Sequence, residues 1–167
     1  MTLSVRPIDI LNPMDLKKYL KINKKLSNES RFWDNDYATT QFHLELFREK
    51  PNVNIINLLY NKNQIVGIIE ALHISWNENT NHYYAAYYLS IGVLKHYQGC
   101  GYGLALLKNI ISSIRYNPKS EMNDIYLTVV KENVRAVDMY LKYGFAFTGQ
   151  EYLDEYNNMQ LVMKLKK

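Results

Sequence analysis

Cysteine is almost missing from this chain of 167 residues, in which Cys100 stands alone. A single cysteine excludes an intramolecular disulfide framework and a zinc site built from cysteines. Proline, with four residues, and glycine, with seven, are also scarce, and no Pro/Gly/Ser-rich linker interrupts the sequence. We therefore predict a single domain over residues 1–167.

Long hydrophobic runs and blocks of like charge are also missing. No uncharged apolar segment approaches the roughly 20 residues that span a bilayer, and the N-terminal stretch with Arg6 and Asp9 does not resemble an export signal. Twenty Lys+Arg against 16 Asp+Glu give a net charge of +4, without a basic stripe for nucleic acid. These absences predict a cytoplasmic protein with neither membrane nor nucleic-acid partners.

Hydrophobic patterns of two periods alternate along the chain. Strands are predicted at 4–8, 53–60, 64–75, 82–93, 125–130, 145–148 and 159–165, with a hairpin at Asn61-Lys62-Asn63, and helices after Asn12, after Thr40, over 104–114 and over 133–143. Asn12 is the predicted N-cap of the first helix, and the polar segment Ser27–Tyr37 is expected to end it. Its predicted packing face runs through Leu16, Tyr19, Leu20 and Asn23. The helices are too few and too unevenly spaced for a doubly wound sheet. We predict an α/β (α+β) fold in which about four helices flank a mixed, mostly antiparallel central sheet of about seven strands.

Glycines cluster where the third long strand gives way to a strong helix, in the segment Gln98-Gly99-Cys100-Gly101-Tyr102-Gly103. The N–H groups at a helix start lack intrahelical partners and carry partial positive charge. Glycine lets such a backbone approach a phosphate closely, so a diphosphate is the natural ligand. A tight strand-to-helix turn without a ligand explains the same residues. A P-loop and a dinucleotide fingerprint are disfavoured, because no Gly-Lys-Ser/Thr ending follows and Leu104 stands where the fingerprint needs glycine.

The helix predicted after the next strand carries a second pattern. Asn133 is placed as its N-cap, Tyr140 lies on the same helical face, and Gly144 suits a left-handed residue after the helix. Ordinary capping and a half-buried tyrosine would explain this pattern without any ligand.

Together the two patterns resemble the GNAT family of N-acetyltransferases. Val93 and Gln98-x-x-Gly101-x-Gly103 match the family's Gln/Arg-x-x-Gly-x-Gly/Ala acetyl-CoA signature, and Asn133 to Phe145 match its downstream helix. The resemblance implies that acetyl-CoA donates an acetyl group to a primary amine, on a small molecule such as a polyamine or at a protein N-terminus. A non-catalytic, CoA-binding regulatory or interaction module is the alternative.

The resemblance also implies roles for individual residues. Backbone amides of the glycine-rich segment would hold the CoA diphosphate, and main-chain groups of the preceding strand would pair with the pantetheine arm. Tyr140 matches the family's general acid for the departing thiolate. The implied cofactor-binding residues are Ile91, Val93, Gln98, Gly99, Cys100, Gly101, Tyr102, Gly103, Asn133 and Tyr140.

A general base for the amine is harder to place. Ribosomal-type N-terminal acetyltransferases often carry a Glu in a Leu-Glu-Val setting, where this chain has Leu127-Thr128-Val129. Glu70 is our candidate catalytic base and His73 a substitute, while a water relay to backbone carbonyls stays open. A solvent-facing charge on a strand is the ordinary interpretation of Glu70. No His, Asp or Glu pair has metal-ligand spacing, so we expect no metal, and a homodimer is left open.

Overall fold

A computed structural model describes residues 3–30, 33, 37–76, 84–117 and 124–166. Within these ranges the chain forms seven strands and four α-helices, with one turn of 3-10 helix at Lys95–Tyr97 before α3. The elements are β1 (Leu3–Ile8), α1 (Pro13–Glu29), α2 (Tyr37–Glu49), β2 (Ile55–Asn61), β3 (Gln64–Trp76), β4 (Tyr84–Val93), α3 (Tyr102–Tyr116), β5 (Asp124–Val130), α4 (Val134–Tyr143), β6 (Phe145–Leu153) and β7 (Met159–Leu165).

The strands join in one mixed sheet, in the order β1-β2-β3-β4-β5-β7-β6. The β1–β2, β2–β3, β5–β7 and β6–β7 pairs are antiparallel, and β4–β5 is parallel. The predicted fold class, with about seven strands and about four helices, is thereby confirmed. No helix in the described ranges is both long and apolar enough to cross a membrane.

The chain divides into two compact units. One comprises Met1–His73 and Ile91–Glu121, and the other comprises Ile74–Ser90 and Met122–Lys167. Strands β3 and β4 each contribute residues to both units. The single domain expected from the sequence stays a prediction.

In the first unit, helices cover both faces of the β2–β3 hairpin. The register pairs Ile56 with Glu70, and successive side chains of a strand point to opposite faces. Glu70 lies beside His43 of α2, whereas Asn57 donates a 2.6 Å hydrogen bond from Nδ2 to Oδ1 of Asn109 on α3. Helix α2 therefore lies on one face and α3 on the other.

Helix α1 begins as predicted and ends later. The side chain of Asn12 accepts hydrogen bonds from the amides of the first turn, at 2.9 Å from Met14, and Pro13 occupies the first helical position. The helix continues to Glu29, through polar residues that were expected to end it. Leu20, predicted on its packing face, is 41% exposed. That assignment was wrong because the buried face runs through Tyr19, Ile22, Asn23 and Leu26.

Several other helix and strand boundaries also differ from those predicted from the sequence. Helix α2 begins at Tyr37 instead of after Thr40, and α3 begins at Tyr102, inside the glycine-rich segment. Strand β6 continues to Leu153 across a register shift that contains Gly149, with φ of +89°. The predicted start of β4 at His82 lies outside the described residues.

The second unit centres on β5. Its parallel ladder with β4 runs from Ala86 opposite Asp124 to Leu89 opposite Leu127. On its other edge β5 pairs with β7, where Lys164 forms a 2.7 Å ion pair with Asp124. Helix α4 follows β5 and packs against the start of β6.

Candidate functional site

The segment from Gln98 to Gly103 turns the chain into α3. Gly99 and Gly101 adopt the left-handed conformation, with φ of +81° and +79°. Gly101 is the N-cap of α3 and has no side chain with which to cap it, while its carbonyl accepts the Ala105 amide at 3.0 Å. A Cβ on Gly101 would meet nothing within 4 Å. Backbone conformation, not space, therefore requires glycine at this position.

This turn leaves the first amides of α3 accessible. The chain from Gln98 to Gly101 is exposed, and Tyr102 and Gly103 are half-buried. The first N–H groups of a helix have no intrahelical acceptor, and the helix dipole places partial positive charge there. The arrangement is suited to bind an anion of phosphate type.

Side-chain hydrogen bonds and a ring stack hold the turn in place. Nε2 of Gln98 donates a 2.9 Å hydrogen bond to the carbonyl of Val93, at the end of β4. The rings of Tyr97 and Tyr102 stack with centroids 6.3 Å apart, and the Tyr97 hydroxyl donates to Oε1 of Gln64. Cys100 is exposed, with a free thiol.

The end of β4 offers main-chain groups to a ligand. The ladder with β5 stops at Leu89, and no pairing with β5 is found for Ile91 or Val93 within the described strands. The amide of Leu94 donates to the carbonyl of Val66 on β3 at 2.9 Å, so the other edge of β4 is held by β3. Ile91 and Val93 can therefore accept an extended ligand as an added strand.

An aromatic ring lies directly over this part of β4. A Cβ on Gly92 would stand 2.9 Å from a ring carbon of Trp33 and 2.6 Å from Cδ1 of Leu26. Nε1 of Trp33 donates a 2.9 Å hydrogen bond to Oδ1 of Asn23 on α1. Glycine at 92 thus lets an indole ring approach the strand backbone.

Helix α4, in the second unit, carries the other predicted residues. Asn133 is its N-cap as predicted, yet the Asn133 side chain makes no capping hydrogen bond. Tyr140 is 7% exposed, and its ring meets Phe145 edge-on at 5.8 Å. Burial raises the pKa of the Tyr140 hydroxyl, so this group stays protonated at neutral pH. Gly144 ends the helix with φ of +115°, which confirms its predicted left-handed role.

The predicted site residues are thus divided between the two units. Glu70 and the residues from Ile91 to Gly103 belong to the first unit, and Asn133 and Tyr140 belong to the second. Within the first unit, the Gln98 side chain joins the glycine-rich turn to the end of β4.

Glu70 is not a surface charge. Only 2% of its surface is exposed, so the interpretation as a solvent-facing residue was wrong. One oxygen, Oε2, lies 3.7 Å from Nδ1 of His43, and the same nitrogen lies 2.7 Å from the hydroxyl of Tyr19. Burial raises the pKa of the Glu70 carboxyl, while the adjacent His43 and the Tyr19 hydroxyl act to lower it.

His73, the other substitute base, lies elsewhere. It lies three positions after Glu70 on β3, so the two side chains point to opposite faces. Nδ1 of His73 lies 3.5 Å from Nζ of Lys50, and its amide donates a 2.7 Å hydrogen bond to Oδ1 of Asn54. His73 is therefore not a member of the group around Glu70.

Sequence reasoning missed two members of that group, Tyr19 and His43. Tyr19 was placed on the packing face of α1, and only its apolar ring was considered. His43 stands between Phe42 and Leu44 in an amphipathic pattern, where a buried histidine signals a polar partner. In the described part of the chain, no three His, Cys, Asp or Glu side chains are grouped closely enough to hold a metal ion.

Known proteins resemble this chain in sequence and in fold. The model of the acetyltransferase (GNAT) family matches residues 20–145. A probable spermine N(1)-acetyltransferase of Bacillus subtilis subsp. natto (strain BEST195) is 38% identical over 56 residues, which are 34% of this chain and 36% of the relative. The match therefore spans about a third of that curated relative.

Two solved structures share the fold over nearly their whole length. A GNAT-family acetyltransferase of Streptococcus pneumoniae has a TM-score of 0.72 and 23% identity, with 98% of each chain covered. Arabidopsis thaliana Naa50, in complex with the bisubstrate analogue CoA-Ac-MVNAL, has a TM-score of 0.70 and 22% identity, covering 99% of this chain and all of Naa50 (100%). The family match covers well over half of the sequence and agrees with the observed fold. This chain belongs to the GNAT family of acetyltransferases.

Proposed function

We propose that this protein transfers the acetyl group of acetyl-CoA to a primary amine, which attacks the thioester directly. The observation that carries the proposal is the start of α3, where Gly99 and Gly101 adopt positive φ and leave the first-turn amides accessible to a diphosphate. Membership of the GNAT family and the CoA-containing ligand of the plant neighbour support the choice of acetyl-CoA.

The glycine-rich segment and β4 bind different parts of acetyl-CoA in this proposal. Amides of residues 98–103 hold the diphosphate, with Gln98 keeping the turn against β4 through its bond to Val93. Main-chain groups of Ile91 and Val93 pair with the pantetheine arm, because β5 does not use them in the described ladder. The family resemblance adds Asn133, at the start of α4 in the second unit, to the proposed cofactor-binding residues.

Tyr140 serves as the general acid for the departing thiolate. Its raised pKa keeps the proton on the hydroxyl until the thiolate forms. A thiol has a pKa of about 8.5, so the thiolate can also leave without full protonation. Tyr140 therefore accelerates the reaction without being indispensable.

Glu70 takes the proton of the amine. An alkylammonium with a pKa near 10 has no free lone pair at neutral pH, so attack requires a proton acceptor. Burial brings the pKa of a carboxyl toward the working pH, where a general base is most effective.

The acceptor is a small amine such as a polyamine, or the N-terminus of a peptide. The probable spermine acetyltransferase supports the first class, and the peptide portion of the analogue bound to Naa50 supports the second. Cytoplasmic location and the absence of membrane, nucleic-acid and metal partners stay predictions from the sequence, and a homodimer stays open.

An acceptor screen tests the proposal. Release of the CoA thiol is measured with acetyl-CoA and, in parallel, spermine, spermidine, aminoglycosides, free amino acids and short peptides with unblocked N-termini. We expect saturable turnover with at least one of these amines. Tight binding of acetyl-CoA without turnover on any of them would favour the non-catalytic CoA-binding module.

A further inference from the structure

Three polar side chains meet on the face of β3 that α2 covers. Tyr19 of α1 and Glu70 of β3 are each 2% exposed, and His43 of α2 is 9% exposed. Nδ1 of His43 lies 2.7 Å from the Tyr19 hydroxyl and 3.7 Å from Oε2 of Glu70. We call Tyr19, His43 and Glu70 the buried cluster.

The second carboxylate oxygen of Glu70, Oε1, takes no part in these contacts. Oε1 is screened from solvent and has no hydrogen-bond partner among the residues that the structure describes. Buried carboxylate oxygens nearly always have partners, and ordered water is the usual one when the protein supplies none. Oε1 is therefore the position in the buried cluster at which a water molecule can deliver a proton.

The other groups around Glu70 control its charge. From α1 the Tyr19 hydroxyl acts on it, from α2 His43 does, and β2 places the apolar Ile56 opposite. Burial favours the protonated carboxyl, whereas Tyr19 and His43 both favour the carboxylate. Burial also raises the pKa of Tyr19, so its hydroxyl does not give up its own proton.

We propose that Tyr19 and His43 are positioning residues that keep Glu70 ionised, with Oε1 held ready to receive the amine proton through one water molecule. The inference rests on the proposed function and deepens it. The N–H bond of the ammonium breaks, an O–H bond forms on Glu70, and the freed lone pair attacks the thioester carbonyl. The proton then leaves past His43, whose side chain is 11% exposed against 3% for Glu70.

Carbon NMR of the Glu70 carboxyl tests the cluster without catalysis. Protein labelled at the glutamate side-chain carboxyl is titrated, and Glu70→Gln assigns the resonance. We expect the midpoint to lie above the usual carboxyl range and to move to higher pH in His43→Gln and in Tyr19→Phe. His96→Gln, at an exposed histidine outside the cluster, is the matched control and should leave the midpoint unchanged. An unchanged midpoint in both cluster variants overturns the inference.

The pH profile of kcat/KM tests the catalytic consequence. Glu70→Gln should lose about 10²–10⁴-fold in kcat, the usual contribution of general acid–base catalysis, and should lose the acidic limb. His43→Gln and Tyr19→Phe should move this limb to higher pH and recover wild-type rates above it, with acetyl-CoA affinity unchanged. A merely structural cluster would lower rates equally at every pH, which would contradict the proposal.

Failure of the inference and failure of the proposed function give different results. Wild-type protein that acetylates no amine refutes the function, whatever the carboxyl titration shows. If the wild-type protein turns over normally but the cluster variants do not shift the acidic limb of the pH profile, only the role of Tyr19 and His43 is refuted. Circular dichroism spectra of the variants confirm that each one is folded.

Discussion

A Cβ on Gly67 would stand 2.9 Å from the carbonyl oxygen of Gly92, closer than real Cβ atoms come to such an oxygen. Strand β3 therefore approaches β4 so closely that only glycine fits at position 67. The same contact lies beside Val93, whose Cγ2 would be 3.4 Å from the added atom. Packing of the first unit thus fixes the end of β4, which the proposed function assigns to the pantetheine arm.

Gly67→Ala should consequently destabilise the fold and weaken acetyl-CoA binding together. Overpacking against a backbone atom typically costs about 1–3 kcal/mol, and relief requires β3 and β4 to separate. Urea denaturation and calorimetric titration measure the two effects. A variant as stable as the wild type would show that the strands tolerate the extra atom.

Gly101→Ala should lose acetyl-CoA affinity at a modest cost in stability. Its Cβ has open space, but φ of +79° strains any other residue by about 1–2 kcal/mol, and relaxation would redirect the first-turn amides of α3. We expect affinity to fall about tenfold, corresponding to about 1.4 kcal/mol.

Gly149→Ala is the matched control for this prediction. Gly149 also has a positive φ, of +89°, and its added Cβ would also meet nothing within 4 Å. It should lose similar stability and keep wild-type affinity. Equal affinity in both variants would remove α3 from the binding site.

Tyr140→Phe should reduce kcat by about 10–10³-fold and leave acetyl-CoA binding intact. The estimate lies at the low end of general acid catalysis because a thiolate can leave unprotonated. Tyr143→Phe, on the same helix and also against Phe145, is the control and should keep full activity. Stopped-flow measurement of thiol release isolates the chemical step, and an unchanged rate for Tyr140→Phe in that step would refute the acid role.

Glu70→Gln should become more stable, relative to the wild type, as pH rises. The folded-state pKa of Glu70 is raised by burial, so between the unfolded value near 4.3 and the folded value the native state binds more protons than the unfolded state. Wild-type stability therefore falls across that window and levels off above it. Urea denaturation of both proteins at several pH values measures the difference, and a difference independent of pH would contradict the raised pKa.

Local patterns predicted most of the fold. The N-cap at Asn12, the hairpin between β2 and β3, the tight turn at residues 98–103 and the left-handed Gly144 all depend on neighbours within a few residues, which a sequence shows directly. The glycine-rich turn itself was therefore predictable, whereas its binding of an anion stays part of the proposed function. The joint pattern with Asn133 and Tyr140 predicted the family.

Burial across distant elements could not be predicted in the same way. The sequence left two interpretations of Glu70 open, a catalytic base and an ordinary surface charge, because a lone acid on a strand gives no sign that α1 and α2 bring Tyr19 and His43 to it. These contacts join residues 24 positions apart in one case, and nothing in either helix alone specifies the partner. At Asn133 the local pattern predicted the position of the N-cap correctly, but it did not predict that the side chain makes no capping hydrogen bond.

Calorimetric titration of the wild-type protein with acetyl-CoA and with S-acetylpantetheine, which lacks the diphosphate and the nucleotide, tests the central claim most directly. If the amides at the start of α3 bind the diphosphate, acetyl-CoA should bind saturably. S-acetylpantetheine should then bind at least 100-fold more weakly, a difference in binding free energy of about 2.7 kcal/mol. Equal affinity for the two thioesters, or no heat with acetyl-CoA, would contradict the assignment of this turn and the function built on it.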